Sequence, residues 1–213
     1  ESAAAVGTVR LALIPNDPQF STQWALNKTG YPSGIAGADI HAEEAWDITT
    51  GSPSVTVAII DTGIDATHPE FAGRILTGWD AVLGAEGVTA DANGHGTFVA
   101  GVAAAARDGF GMQGIAYDAS LMSVRIADAR GFLTLPDANL AAGIRYAIGK
   151  AGVFNNSWNS AVTVHQVSPA AFEAAFGQSL AAWREAVAGA AIVVFAAGNQ
   201  GMADPGVFGA LPA

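Results

Sequence analysis

The chain has 213 residues, no cysteine and a formal net charge of −10, with 51% hydrophobic and 13% charged residues. Such a composition can bury a sizeable core, and it excludes a disordered chain, a disulfide framework, cysteine-ligated zinc and thiol catalysis. The acidic balance disfavours nucleic-acid phosphate and anionic lipid as partners, so no nucleic-acid function is expected.

The opening residues, Glu1-Ser-Ala-Ala-Ala-Val6, contain no methionine, basic stretch or apolar stretch. A signal peptide is therefore expected to be absent or already removed. Residues 1–50 read as an N-terminal arm with loops at Pro15-Asn-Asp-Pro18 and Thr29-Gly-Tyr-Pro-Ser-Gly34. A short helix is predicted over residues 41–48, ended by Thr50-Gly51-Ser-Pro53. From there the pattern becomes regular. Val55-Thr-Val-Ala-Ile-Ile60 is a β-branched apolar run, the signature of a strand covered on both faces. Residues 97–106 are alanine-rich and predicted helical, opened by Gly94-His95-Gly96. A second strand is predicted at 121–126 and a helix at 137–150, with Asp137 after Pro136 as its cap. A third strand follows at 152–155, a long helix at 169–187 and a fourth strand at 191–195. The longest apolar stretch, from Ala186 to Ala197, falls short of the roughly 20 residues that cross a bilayer, so no membrane span is expected. Strands separated by helices of this length imply right-handed crossovers, hence an α/β fold with a mostly parallel sheet in three layers.

Ligands and chemistry in such sheets sit at the carboxyl ends of the strands. Asp61-Thr-Gly-Ile-Asp65 follows the first strand, Asn155-Asn-Ser-Trp-Asn159 the third, and Ala196-Ala-Gly-Asn199 the fourth. Polar groups and glycines thus gather at one sheet edge, and the helix opening at Asn93-Gly-His95-Gly-Thr97 can bring an imidazole there. A carboxylate at a buried strand end can accept the Nδ1 proton of an imidazole, leaving the other nitrogen to take a proton from a hydroxyl nucleophile. Glycines on both sides of His95 would let a substrate backbone approach the ring. An isolated Asp or His has a plainer reading, as a loop cap and a satisfied helix start.

The full wording changes that balance. Ala58-Ile-Ile-Asp61-Thr-Gly-Ile-Asp-Ala-Thr-His68-Pro-Glu70 and Asn93-Gly-His95-Gly-Thr-Phe-Val-Ala-Gly101 resemble the subtilisin-like serine proteases. Asn155-Asn-Ser157-Trp158 and Ala196-Ala-Gly198-Asn199 are similar to that family's substrate-binding strand and oxyanion segment, in the same order. The resemblance implies a subtilisin-like fold with Asp61 as orienting acid and His95 as general base. Asn199 would donate its amide to the oxyanion, a kind of contact worth about 3–4 kcal/mol. Ser157, Trp158 and Asn159 on one side and Ala196, Ala197 and Gly198 on the other would wall the pocket for the side chain preceding the cleaved bond. Gly131, Phe132 and Leu133, in a segment running to residue 135, would form an edge strand that pairs with extended peptide.

Departures from the family pattern carry expectations of their own. Asn159 stands where glycine is usual and should narrow or polarise the pocket, and Phe98 replaces a common second histidine, a packing change. The family's nucleophile lies in a Gly-Thr-Ser helix start, and no Gly-Thr-Ser occurs here; Ser157 belongs to the binding strand and Ser179 to a helix. Residues 51–213 are therefore expected to be the N-terminal two-thirds of one catalytic domain, an incomplete fold that is inactive alone. Its expected partners are a peptide or protein substrate and a C-terminal segment carrying the serine.

No cofactor is expected in catalysis. The family often binds structural calcium, and Asp17 and Glu70 match positions that ligate it in some members. The loop Arg107-Asp-Gly-Phe-Gly-Met-Gln-Gly114 lacks the usual asparagines, which argues for a local structural role of those acids. The four histidines, His41, His68, His95 and His165, have no zinc-like spacing. Gly109-Phe-Gly111-Met-Gln-Gly114 matches a dinucleotide fingerprint, but a helix precedes it and a strand follows, the reverse of the required order. Asp61-Thr-Gly63 also matches the aspartic proteases, which need a second such carboxylate that is missing here. Asn27-Lys-Thr29 fits a glycosylation sequon. The wording of residues 107–116 and 155–158 looks most like subtilisin-like passengers of bacterial autotransporters, implying a secreted or surface enzyme of a Gram-negative cell. The competing expectation is a non-catalytic subtilase fold that binds peptide or serves as a scaffold.

Overall fold

The computed structural model describes residues 15–29, 33–87, 90–159 and 166–199. A six-stranded sheet organises the chain, comprising β1 (Thr56–Asp61), β2 (Ile75–Asp80), β3 (Ala85–Gly87), β4 (Ser120–Arg125), β5 (Val153–Asn156) and β6 (Ile192–Phe195). The described residues also form four α-helices, α1 (Ala42–Trp46) ahead of the sheet and α2 (His95–Ala104), α3 (Asp137–Ala147) and α4 (Pro169–Ala188) between its strands. The strand order is β3-β2-β4-β1-β5-β6, with every pair parallel except the β2–β3 hairpin.

β1 is central because each of its residues can be buried: all six are, and Ala58, Ile59 and Ile60 are inaccessible. Burying a side chain of that size is worth roughly 1.5–3 kcal/mol relative to exposure. Alternation then divides the strand between two cores. Ala58 and Ile60 join Met122, Val124 and Phe154 under α3 and α4, where Leu140, Ile144 and Trp183 cover them. Val57 and Ile59 join Leu121 on the opposite face, under Ala100 and Ala104 of α2 and Phe71. The result is the expected three-layer α/β arrangement. A third cluster of Leu26, Ala42, Trp46 and Tyr117 ties the described part of the N-terminal arm to the body, helped by Trp46 Nε1 donating to the Ile115 carbonyl at 2.7 Å.

Three features depart from the reading of the sequence. The β2–β3 hairpin was not among the predicted strands, since Gly78 interrupts the apolar pattern of β2. That glycine sits at a register shift between Leu76 and Trp79, where a Cβ would fall 2.0 Å from the Ser123 carbonyl oxygen, so the backbones approach too closely for any side chain. Secondly, α4 is kinked: Phe176 has φ −133° and ψ 21°, dividing the helix in two. Thirdly, Asp137 makes no cap for α3, whose N-cap residue is Pro136. Its carboxylate instead accepts the Gln178 amide at 2.8 Å and the Ser179 amide at 3.2 Å, together with the Ser179 hydroxyl. Asp137 therefore caps the second half of α4 from the neighbouring helix, satisfying amides that the kink would orphan.

Candidate active site

The site is assembled at the carboxyl ends of β1, β5 and β6, where parallel packing delivers three loops to one edge. Asp61 is the last residue of β1 and 3% exposed. His95 is the first residue of α2, two residues earlier than the predicted helix start. Its Nδ1 lies 2.7 Å from Asp61 Oδ1, which also accepts the Thr62 amide at 2.7 Å. The His95 side chain is 48% exposed, and with Nδ1 engaged, Nε2 is the nitrogen left for the cleft. Burial pushes the Asp61 carboxyl above its ordinary range, while hydrogen bonds from His95 and Thr62 oppose the shift.

The glycines beside His95 also have packing and backbone reasons. A Cβ on Gly96 would meet the Gly63 carbonyl oxygen at 2.1 Å and Asp61 Cβ at 3.1 Å. Gly96 is thus required for α2 to approach the end of β1. Gly94 takes φ +96° at the N-cap, a left-handed geometry that favours glycine.

The helix start depends on a residue that the sequence reading passed over. Asp91 accepts bonds from the amides of Asn93, Gly94 and Thr97 and from the hydroxyls of Thr62 and Thr97, at 2.7–3.0 Å. Burial raises its pKa, yet these hydrogen bonds outweigh burial and hold the carboxyl below its ordinary range. The signal was available: an acid just ahead of Asn-Gly and a predicted helix is a capping pattern.

β5 and β6 supply the two walls that were expected to form a pocket. Their backbones stay paired to the end, with Asn156 opposite Phe195 and the Ala196 amide donating to the Asn156 carbonyl at 3.0 Å. The inaccessible Asn156 side chain adds a cross-link, Nδ2 to the Val194 carbonyl at 3.1 Å. Trp158 is seated by ring contacts with Trp183 and Phe195, at centroid distances of 6.1 and 5.8 Å. Asn159 Nδ2 reaches across to the Ala197 carbonyl at 3.1 Å, joining the walls. Gly198 takes φ +113°, while Asn199 has no positive φ, so the left-handed turn position is the glycine and not the asparagine.

Together these residues line a cleft of about 610 Å³. The structure brings Asp61, His95, Gly131, Phe132, Leu133, Ser157, Trp158, Asn159, Ala196, Gly198 and Asn199 onto it; Ala197 does not line it and contributes through its carbonyl. Residues 131–135 form no strand in the described structure. They follow a turn in which Asp128 Oδ1 accepts the Arg130 and Phe132 amides, at 2.9 and 3.0 Å. Phe176 also lines the cleft, delivered by the kink in α4, for which the local signal was Gly177, the glycine that follows it within the helix.

Asp17 and Glu70 are both buried, and neither lines this cleft. Asp17 Oδ1 accepts the amides of Asp108 and Gly109 at 3.2 Å, while its Oδ2 and both Glu70 oxygens lie buried without a hydrogen-bond partner. Burial, then the nearby Asp108, push the Glu70 carboxyl upward, and the Met112 and Ala106 amides, close to it but outside hydrogen-bond geometry, oppose the shift. Orphaned carboxylate oxygens are donors of the hard kind that calcium takes. Among the described residues, no group of three or more acidic or imidazole side chains forms a metal cluster.

A buried acid hydrogen-bonded to the imidazole of an adjoining helix thus stands beside a cleft walled by two parallel strands of an α/β sheet. Residues 52–210 match the subtilase family, peptidase S8, and the chain belongs to it. It is 40% identical over 135 residues to thermitase of Thermoactinomyces vulgaris, covering 62% of this chain and 43% of that one. It is 34% identical over 141 residues to the cell wall-associated protease of Bacillus subtilis, covering 64% and 16%. Among solved structures it superposes on a protease of Pseudoalteromonas arctica with a TM-score of 0.66 at 29% identity, over 87% of this chain and 59% of the other. The chain thus spans less than half the length of these two curated relatives.

Proposed function

We propose that the chain supplies the acid, the base, the oxyanion donor and the peptide-binding walls of a serine endopeptidase, with its nucleophilic serine outside these 213 residues. The observation that carries this reading is the 2.7 Å Asp61–His95 contact at the mouth of the cleft. In the proposed reaction, the serine oxygen bonds to the peptide carbonyl carbon as its proton passes to His95 Nε2. Asp61 stabilises the imidazolium, and the Asn199 amide donates to the oxyanion. Collapse of the tetrahedral intermediate breaks the carbon–nitrogen bond, and the departing amine takes the proton from Nε2. Water then enters by the same route, giving its proton to Nε2 and releasing the acid product and the serine.

Substrate would run as extended peptide along residues 131–135, with one side chain between the walls that Asn159 joins. No cofactor enters these steps. Calcium, where bound, would be held by Asp17 and Glu70 and would serve the fold; their orphaned oxygens support this. The loop wording shared with autotransporter passengers, and a cell wall-associated relative, support placement outside a cell, on the former ground a Gram-negative one. In the described residues no helix is long and apolar enough to cross a membrane.

The absence of Gly-Thr-Ser from the sequence favours a second reading, a subtilase fold that binds peptide without cleaving it. Peptide hydrolysis by the protein isolated at its natural length separates the two. Cleavage of an unstructured protein that disappears in His95→Ala supports the endopeptidase. Binding of the same substrate without cleavage supports the other reading and overturns ours.

A further inference from the structure

His95 presents a positioning problem that its hydrogen bond to Asp61 does not solve alone. Asp61 is fixed by burial at the end of the central strand, but the imidazole is 48% exposed and has open cleft on one side. Its place is therefore set by its own backbone, and that backbone is the first residue of a helix, where amides lack intrahelical partners. The N-cap residue of α2 is Gly94, which has no side chain with which to cap. Unless something else gathers those amides, the segment that carries the base would fray.

Asp91 gathers them. Its Oδ1 accepts the amides of Asn93 and Gly94 at 3.0 and 2.9 Å, and its Oδ2 accepts the amide and hydroxyl of Thr97 at 2.9 and 2.7 Å. An ordinary cap stops at the helix. This carboxylate also accepts the Thr62 hydroxyl at 2.9 Å, and the same hydroxyl oxygen accepts the Gly96 amide at 2.9 Å. Thr62 follows Asp61 and Gly96 follows His95, so the residues after the acid and after the base are bonded to each other and, through Thr62, to Asp91. We propose that Asp91 is a positioning residue for His95, locking the start of α2 onto the end of β1 so that the imidazole is held against Asp61. It touches neither substrate nor the reacting atoms. The proposal rests on the reading of His95 as general base and adds the residue that sets its geometry.

Displacement of a catalytic group by about 1 Å can cost on the order of 100-fold in rate, so the loss expected from Asp91→Ala is between about 10- and 100-fold in kcat with KM nearly unchanged. That measurement uses the complete protease. A second measurement uses the same complete protein and needs no catalysis: the Nδ1 proton of His95, recorded by NMR on histidine-labelled protein at a pH where the ring is doubly protonated. The wild type should show a strongly deshielded resonance that His95→Ala removes. Asp91→Ala and Thr62→Val should each move it upfield, the double variant no further than Asp91→Ala alone, because both act through one network. Asp91→Asn, which keeps one acceptor oxygen, should retain part of the shift. Ile144→Val, a loss of core packing remote from the network, should leave it in place.

An unmoved resonance in Asp91→Ala, with β1 and β4 still protected from hydrogen exchange, overturns the proposal. So does a change in KM in place of kcat. If Asp91→Ala fails to fold, Thr62→Val and Asp91→Asn decide the matter by the same criterion. If the resonance responds as expected while the complete protein cleaves no peptide, the positioning role stands and the endopeptidase reading falls.

Discussion

At the scale of single residues, the site places stability and chemistry in opposition at Asp61. Burial raises the pKa of this carboxyl in the folded chain, so the folded state binds its proton more tightly than the unfolded state does. The sign follows directly. Stability falls as pH rises from the ordinary carboxylate range through the raised folded value, because ionising the buried group costs more in the folded state. Asp61→Asn removes that titration and keeps an acceptor for the Thr62 amide. Urea unfolding should therefore show the variant gaining stability relative to wild type between pH 4 and pH 7.5. The same change in the complete protease should lower kcat by about 10⁴-fold, since the amide favours the wrong imidazole tautomer. A variant that loses stability as well as activity would mean that Asp61 serves the fold. Asn199 offers a second test at this scale: Asn199→Ala should reduce kcat on the order of 100- to 1,000-fold, the usual effect of removing an oxyanion donor, with little change in thermal unfolding.

Elements, rather than residues, decide which side chains reach the cleft. α4 is one helix by composition, yet it bends at Phe176 because Asp137 of α3 caps Gln178 and Ser179. The bend puts an aromatic ring on the wall of the cleft. Asp137→Ala should cost about 1 kcal/mol of stability, the typical loss of a cap. It should also raise hydrogen exchange selectively at residues 177–180; uniform loosening of α3 would contradict this assignment. Such bonds explain where sequence reading succeeds and fails. β1, β4 and the acid at the strand end were legible because burial on both faces leaves a continuous β-branched run, and a strand terminus in a parallel sheet is a fixed location. Asp91 acts at close range but was overshadowed by the histidine beside it. The capping role of Asp137 was beyond reach, because its partner lies 41 residues away in sequence; the kink had a local signal in Gly177, directly after Phe176, but that does not say which ring it turns toward the cleft. Gly78 is hard to read for a related reason: a glycine in a strand records the approach of another backbone, here that of Ser123, and the sequence does not say which.

For the whole molecule, the sheet has a well-covered centre and an open end. β6 is the outermost strand on the β5 side, and Ile192 and Val194 are 62% and 46% exposed, with Val187 of α4 also exposed nearby in sequence. Among the described residues no strand pairs with the outer edge of β6, and such an edge carrying exposed β-branched residues promotes association of chains. Residues 1–213 alone should therefore self-associate with rising concentration in light scattering, and Ile192→Lys with Val194→Glu should suppress it. Persistent association in that variant would place the sticky surface elsewhere. The same side of the sheet adjoins the walls of the cleft, and on the proposed reading the segment carrying the nucleophile would arrive where β6 delivers Asn199. The most direct measurement is labelling of the natural-length protein with a serine-directed fluorophosphonate, followed by peptide mapping. The label should fall on a serine outside residues 1–213, and His95→Ala should abolish it. A labelled serine within residues 1–213 would contradict the account, as would a protein that cleaves peptide bonds without ever taking the label.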